Sequence, residues 1–177
     1  MWKFTGNQRP DFAIEPQPGQ ESVWDYPRPP ELRRDSREVI VRVGDIEIAR
    51  SKNMVRILET ASPPTVYIPP EDVQFEYVQK DSGSSYCEWK GRATYWSVAV
   101  SGSAHPGDVS LPNVGWSYDS PQKRFAEIRN YLSFYPGRID CWMGGEKVKP
   151  QPGGFYGGWV TSEIVGPWKG EEATGGW

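Results

Sequence analysis

The sequence is poor in the residues that build metal centres, disulfide frameworks and histidine-based active sites. It has one histidine, His105, and two cysteines, Cys87 and Cys141. This number and spacing fit neither a structural zinc site nor a disulfide scaffold, and a single imidazole leaves little from which to build a catalytic triad. We therefore expect no metal, no cofactor and no disulfide, with His105 in a surface loop and Cys87 as a small core residue.

Long apolar runs and an excess of positive charge are also missing. No apolar run approaches the ~18 residues that a membrane-spanning helix needs, and the N-terminal MWKFTGNQRPDF lacks the apolar centre of a signal peptide. The formal net charge is −3, and the basic residues of 28–37 are interleaved with acidic ones, whereas nucleic-acid binding needs clustered lysine and arginine. These absences predict a cytoplasmic protein whose partners include neither nucleic acid nor a membrane.

Glycine, proline and aromatic residues, by contrast, are abundant. The 177 residues include 19 glycines, 17 prolines, nine tryptophans and nine tyrosines. Turn-forming residues at this density favour many short strands over long helices. We divide the chain into an extended, proline-rich N-terminal arm (1–37) and a single β-rich domain (38–177), and expect Trp24 and Tyr26 to anchor the arm on the domain.

Local patterns predict a mostly β, antiparallel fold with one convincing helix. EVIVRV and IEIARS around Gly44-Asp45, and IDCWM and EKVKP around a Gly-Gly pair, are typical of hairpins with two-residue turns. SKNMVRILET suggests a short helix with Ser51 as N-cap. Phe125, Ile128 and Leu132 recur at helical spacing and predict a helix over 121–132.

A central hairpin, YCEWKGRATYWSVAVSG, contains the strongest strand pair in the sequence. A turn at Gly91-Arg92 would place Cys87, Trp89 and Trp96 together on the inward face. Glu88, Lys90 and Tyr95 would then lie on the opposite face. A shift of register by one residue would invert this assignment.

Few residues are candidates for catalysis. Lys90 with Glu88 and Tyr95 suggests acid–base or Schiff-base chemistry if buried, or a surface ion pair if exposed. Glu59 and Asp140 are further weak candidates. The glycine-rich PGGFYGGW (152–159) lacks the Gly-Lys-Ser/Thr ending of a phosphate-binding loop. Its glycines permit close backbone approach to another surface, so we expect a closing loop or a pocket wall.

Several segments together resemble the bacterial family of domain of unknown function 427, sometimes labelled nucleotidyltransferase-like. They cover about 22–177 and are ESVWDYPRPP, ILETASPPTVYIPPEDV, CEWKGRATYWSV, the WSY and FYPGRID stretches, PQPGGFYGGW, GPWKG and TGGW. The resemblance implies a small β-tent-like fold, with antiparallel sheets packed at a steep angle around a groove. Related tent folds carry a four-cysteine zinc site or a tryptophan cage; the cysteines for zinc are absent here. No Gly-Ser loop followed by paired aspartates supports the nucleotidyltransferase label.

Three functional classes stay open at this point. The tryptophan content favours a small-molecule-binding domain with an aromatic groove. The alternatives are an enzyme that uses Lys90, Glu88, Glu59 or Asp140 in the same groove, and an interaction or structural protein whose aromatic residues only fill the core. The predicted ligand-binding residues are Trp89, Tyr95, Trp96, Trp116, Tyr118, Tyr156 and Trp159.

Overall fold

A computed structural model describes residues 1–101 and 107–177. Strands make up 42% of the chain and helical segments 9%, so the prediction of a mostly β protein with little helix is confirmed. The strands are β1 (Glu21–Ser22), β2 (Glu31–Asp35), β3 (Val39–Val43), β4 (Ile46–Ser51), β5 (Met54–Leu58), β6 (Thr65–Tyr67), β7 (Val78–Cys87), β8 (Gly91–Val100), β9 (Val109–Tyr118), β10 (Ser133–Phe134), β11 (Asp140–Met143), β12 (Glu146–Lys147), β13 (Lys149–Pro150), β14 (Trp159–Val160) and β15 (Ile164–Val165). Short 3₁₀ segments are Val23–Asp25, Pro70–Asp72, Phe75–Tyr77 and Lys123–Ile128.

The strands form several small sheets. One four-stranded sheet has the order β10-β9-β8-β7, a second has the order β12-β11-β3-β4, and a three-stranded sheet has the order β2-β5-β6. All neighbours in these sheets are antiparallel. β13 pairs with β14, while β1 runs parallel to β15 and so joins the beginning of the chain to its end.

The sheets enclose apolar clusters that share the long β8–β9 pair. The largest cluster takes Val41 from β3 and Cys141 from β11 on one side, and Val98 and Val114 from β8 and β9 on the other. A second cluster joins the three-stranded sheet to the other end of the β8–β9 pair. Its members are Val55, Ile57, Tyr67, Ala93, Trp116, Tyr118, Phe125 and Ile128.

The N-terminal segment packs on the rest of the chain through aromatic residues. Trp24 is fully buried and donates its indole N–H to the carbonyl oxygen of Pro167 at 2.9 Å. Tyr26 is buried too, so both expected anchors are in place. β2 also belongs to the segment assigned to the arm, and it pairs with β5 along its whole length.

The expected helix around residues 51–60 is wrong: the segment forms the end of β4 and all of β5. Every residue of β5 is buried, because the strand lies between β2 and β6 and packs against clusters on both sides. Ser51 does make the hydrogen bond expected of a capping residue, but in a turn: its hydroxyl accepts the backbone N–H of Asn53 at 3.0 Å. A serine makes this bond in a turn as readily as at a helix start.

The predicted helix over 121–132 is shorter and tighter than expected. It is a 3₁₀ segment, Lys123–Ile128, with a kink at Phe125. Phe125 and Ile128 are buried in one cluster, as their three-residue spacing allows in a 3₁₀ helix,. Leu132 lies beyond the segment and exchanges two backbone hydrogen bonds with Ile68 instead.

The three predicted hairpins differ in outcome. The turns at Gly44-Asp45 and Gly144-Gly145 are confirmed by the pairing of β3 with β4 and of β11 with β12. In the central hairpin the turn is Glu88–Lys90 rather than Gly91-Arg92, and Cys87 pairs with Gly91. A three-residue turn followed by a glycine at φ +98° accounts for the shift,.

Candidate functional site

A cavity of about 260 Å³ lies where the three-stranded sheet meets β7, β8 and β9. Aromatic side chains, with one lysine and one glutamate, dominate its lining. We call this the aromatic cavity; its principal residues are Glu59, Tyr67, Lys90, Tyr95, Trp116, Tyr118, Tyr135 and Tyr156. Ser62, Thr65, Ser85, Cys87, Gln151, Phe155 and Gly157 also contribute to it. Mostly apolar walls with a few polar groups are what small-molecule sites require.

The shifted hairpin register places Tyr95 in this cavity. Ser85 pairs with Ala93, and the Tyr95 hydroxyl donates to the Ser85 hydroxyl at 2.5 Å. Side chains alternate across a strand, so Trp96 points to the opposite side of β8, where it packs against Phe75 and donates to Ser117 at 2.8 Å. The predicted grouping of Trp96 with Cys87 is therefore wrong.

Lys90 is the positively charged residue of the cavity lining and lies at one end of the cavity. Its side chain is buried, and Nζ lies 5.8 Å from the ring centroid of Tyr118. Burial alone disfavours the ammonium form. Tyr67 and Cys87 outweigh that effect, aided by the field of Glu59, so the pKa of Lys90 is raised above its ordinary value.

Tyr67 connects the lysine to the aromatic wall. Its hydroxyl accepts the indole N–H of Trp116 at 3.2 Å, and its ring centroid lies 6.4 Å from that of Tyr118. Its side chain is also the neighbour that most favours the charged form of Lys90. Burial raises the pKa of the Tyr118 phenol far above its usual range and that of Tyr135 to about 12. Both phenols therefore stay neutral near pH 7 and keep a hydroxyl proton to donate.

Trp116 and Tyr135 form the other end of the cavity, with ring centroids 4.5 Å apart. The backbone of Gly157 lies against the indole of Trp116 so closely that an added Cβ would be 2.1 Å from Cη2. The closing-loop or pocket-wall role expected for the PGGFYGGW segment agrees with this contact. Phe155 at the loop tip is 73% exposed, and Tyr156 is half-buried beside it.

Hydrogen bonds from two polar side chains hold the closing loop (152–159) in place. Arg138 donates to the carbonyl oxygens of Asn113 and Gly154, both at 2.7 Å, and its guanidinium lies 4.1 Å from the ring centroid of Tyr135. Gln151 accepts the N–H of Gly158 at 3.2 Å and donates to the carbonyl oxygen of Lys169 at 2.8 Å. The loop is therefore bonded on one side to β9 and on the other to the C-terminal segment.

A family model described as Domain of unknown function (DUF427) matches residues 31–145. The chain belongs to this family. Among curated proteins, none matches the sequence. The part matched to DUF427 supplies the walls of the aromatic cavity, from Glu59 to Tyr135, whereas the closing loop follows the matched part.

In this DUF427 protein the predicted ligand-binding residues divide into two groups. Tyr95, Trp116, Tyr118 and Tyr156 line the cavity. Trp89 packs against the second apolar cluster and donates its indole N–H to Glu59 at 2.9 Å, but it does not line the cavity. Trp96 faces away from the cavity, and Trp159 is buried in the largest core cluster.

The four weak catalytic candidates are also separated. Lys90 and Glu59 share the cavity. Glu88 is exposed in the hairpin turn, and Asp140 pairs with Lys147 at 3.2 Å on the surface of the other four-stranded sheet. Cys87, expected in the core, is half-buried at the cavity.

Sequence patterns missed Tyr67 and Tyr135 as site residues. Tyr67 ends the short strand β6, which lies between two proline pairs. Tyr135 lies beyond the predicted helix over 121–132. The signal for Tyr67 was the alternation in TVYI, which places Tyr67 and Val66 on opposite faces of one strand.

Within the described residues, no group of three or more His, Cys, Asp or Glu side chains is arranged to hold a metal ion. His105 lies outside the part of the chain that the structure describes. No helix in the described ranges is both long enough and apolar enough to cross a membrane.

Proposed function

We propose that this DUF427 protein binds a small, planar organic molecule in the aromatic cavity. The observation that carries the proposal is the combination of an unfilled space of about 260 Å³ with aromatic walls from three parts of the chain. Trp116 and Tyr118 come from β9, Tyr67 from β6, and Tyr156 from the closing loop.

The size of the cavity limits the ligand. Sites for drug-sized ligands have about 300–1,000 Å³, so this cavity suits a single ring or a compact fused ring. Flat aromatic walls favour a planar molecule, which packs against them by offset or edge-to-face contacts. The hydroxyl groups of Thr65, Tyr118 and Tyr135 supply polar contacts that orient it.

The test compares two tryptophans on neighbouring strands. The purified full chain is screened by ligand-observed NMR against single-ring and fused-ring planar compounds, and dissociation constants are measured for those that bind. Trp116→Leu removes a cavity wall, whereas Trp96→Leu alters the opposite side of the same sheet. We expect Trp116→Leu to weaken binding about tenfold and Trp96→Leu to change it less than about twofold.

A second cavity variant, Tyr156→Ala, covers the case in which Trp116→Leu does not fold, because Tyr156 lies on a half-exposed loop. Absence of binding by every compound, or equal weakening by the Trp116 and Trp96 variants, would contradict the proposal.

A further inference from the structure

The Lys90 ammonium is buried with most of its hydrogen-bonding capacity unused. An ammonium group has three N–H donors. Of the described residues, Tyr67 and Cys87 have the largest favourable effect on its charge. A buried charge is costly unless it is paired and hydrogen-bonded, and Lys90 forms no ion pair within the described ranges.

The nearest carboxylate on the cavity wall is engaged elsewhere. Glu59 accepts the indole N–H of Trp89 at 2.9 Å, and the same oxygen lies 3.9 Å from Nε of Arg28. Arg28 is itself buried and held by the backbone oxygens of Thr60 and Trp177, at 3.1 and 2.7 Å. Glu59 therefore serves as the counter-charge of Arg28 and acts on Lys90 only through its field.

We infer that the ligand of the aromatic cavity carries an anionic group, a carboxylate or a phosphate, that pairs with Lys90. This inference rests on the proposed function. A charged hydrogen bond in a site sheltered from water is stronger than a neutral one. An anionic ligand would give Lys90 the ion-pair partner that it does not have among the described residues. Tyr118, whose ring centroid lies 5.8 Å from Nζ, lines the cavity beside Lys90.

The arrangement also orients the ligand. Tyr67 lies between the two ends, because its hydroxyl accepts the indole N–H of Trp116 and its side chain is the neighbour that most favours the charge of Lys90. The anionic group therefore lies at the Lys90 end, and the ring lies toward Trp116 and Tyr135. A ligand of this shape is a ring with its acidic group attached directly or through a short linker.

The test uses acid–amide pairs that differ in charge and hardly in shape. Dissociation constants of the full chain are measured by calorimetry for benzoate and benzamide, and for indole-3-carboxylate and its carboxamide; phenyl phosphate distinguishes a phosphate from a carboxylate.

We expect at least one acid to bind about tenfold or more tightly than its neutral partner. Lys90→Met, which keeps a side chain of similar length without the charge, should abolish that difference. Lys147→Met, on the surface beside Asp140, should preserve it.

Each outcome decides a separate point. Equal binding of acid and amide by the wild type overturns the inference and leaves the proposed function intact. A preference for the acid that survives in Lys90→Met also overturns it. If no compound of any series binds, both the inference and the proposed function fail. Because a buried charge without an ion-pair partner is itself costly, we expect Lys90→Met to fold; if it does not, the acid–amide comparison on the wild type still decides.

Discussion

At the scale of single residues, the closing loop depends on a position where any side chain would collide with the cavity wall. An ideal Cβ on Gly157 would lie 2.1 Å from Cη2 and 2.7 Å from Cζ3 of Trp116. Trp116 has little room to move, because it is also packed against Tyr135 and hydrogen-bonded to Tyr67. The loop backbone would therefore have to shift instead.

We predict that Gly157→Ala lowers the free energy of unfolding by about 1–3 kcal/mol, the usual cost of overpacking. The measurement is urea denaturation followed by far-UV circular dichroism. Gly176→Ala is the matched control, because an added Cβ there meets no atom within 4 Å. Equal stability of the two variants would show that the loop adjusts without cost.

At the scale of strands and sheets, a charged network joins β1, β2 and β5. The Glu21 carboxylate accepts two hydrogen bonds from the buried Arg56, at 3.0 and 3.2 Å, and one from the Tyr26 hydroxyl at 2.6 Å. Asp35 lies 3.3 Å from Nε of Arg56 and is hydrogen-bonded by Arg37. Burial opposes the charge of both carboxylates, but these hydrogen bonds outweigh it, so the pKa values of Glu21 and Asp35 are lowered.

This network should make stability depend on pH in the acid range. The folded protein holds the Glu21 proton less tightly than the unfolded chain, whose glutamate has a pKa of about 4.5. Glu21 therefore contributes stability above that value and loses it as the pH falls through its lower pKa in the folded state. We predict that Glu21→Gln costs about 1–3 kcal/mol near pH 7, less than a fully buried pair because Glu21 is partly exposed.

The difference between Glu21→Gln and the wild type should shrink as the pH is lowered below the unfolded-state pKa of about 4.5,, measured by urea denaturation across the range. Glu172→Gln, at an exposed position, should match the wild type throughout. A difference that stays constant with pH would mean that the carboxylate charge is not what stabilises the network.

The sequence predicted elements well where the turn chemistry was unambiguous. Gly44-Asp45 and Gly144-Gly145 fixed two hairpins, because two-residue turns leave one register. The predicted register was wrong at Glu88–Lys90, where a three-residue turn competes with the Gly-Arg pair beside it. As a result Tyr95, and not Trp96, lies on the same face as Cys87. Local patterns cannot show that both faces of β5 are covered, which is why its continuous apolar run suggested a helix.

Local sequence patterns also could not show which segments come together in the aromatic cavity. Trp116 and Tyr118 were predicted as aromatic residues of one short segment, and the structure places both on β9. β6 and the closing loop are distant from that strand in the sequence and meet it only in the fold. Local patterns therefore could not predict that Tyr67 lines the cavity.

At the scale of the whole molecule, the N-terminal aromatic residues close the fold. Trp24 is fully buried, with Phe4, Phe12 and Trp177 packed edge-on around it. We predict that Trp24→Ala lowers the free energy of unfolding by about 3–5 kcal/mol, as large-to-small core substitutions do. Trp2→Ala should cost about 1 kcal/mol or less, because Trp2 is 40% exposed and contributes mainly cation–π contacts with Arg28 and Lys169,.

Thermal and urea denaturation of both variants provide the measurement. If Trp24→Ala unfolds at the same urea concentration as Trp2→Ala, residues 1–30 are a loosely attached tail rather than part of the folded core.

The attachment of the closing loop has a consequence for affinity. Gln151 bonds the loop to Lys169, and the neighbouring segment is held by the arm through Trp24 to Pro167 and through the N–H of Ile14 to the carbonyl oxygen of Gly166 at 2.9 Å. A ligand that needs the loop in place therefore favours the docked arm, and by thermodynamic reciprocity the docked arm favours the ligand by the same factor. Binding of the proposed ligand and docking of the arm would then be one linked equilibrium.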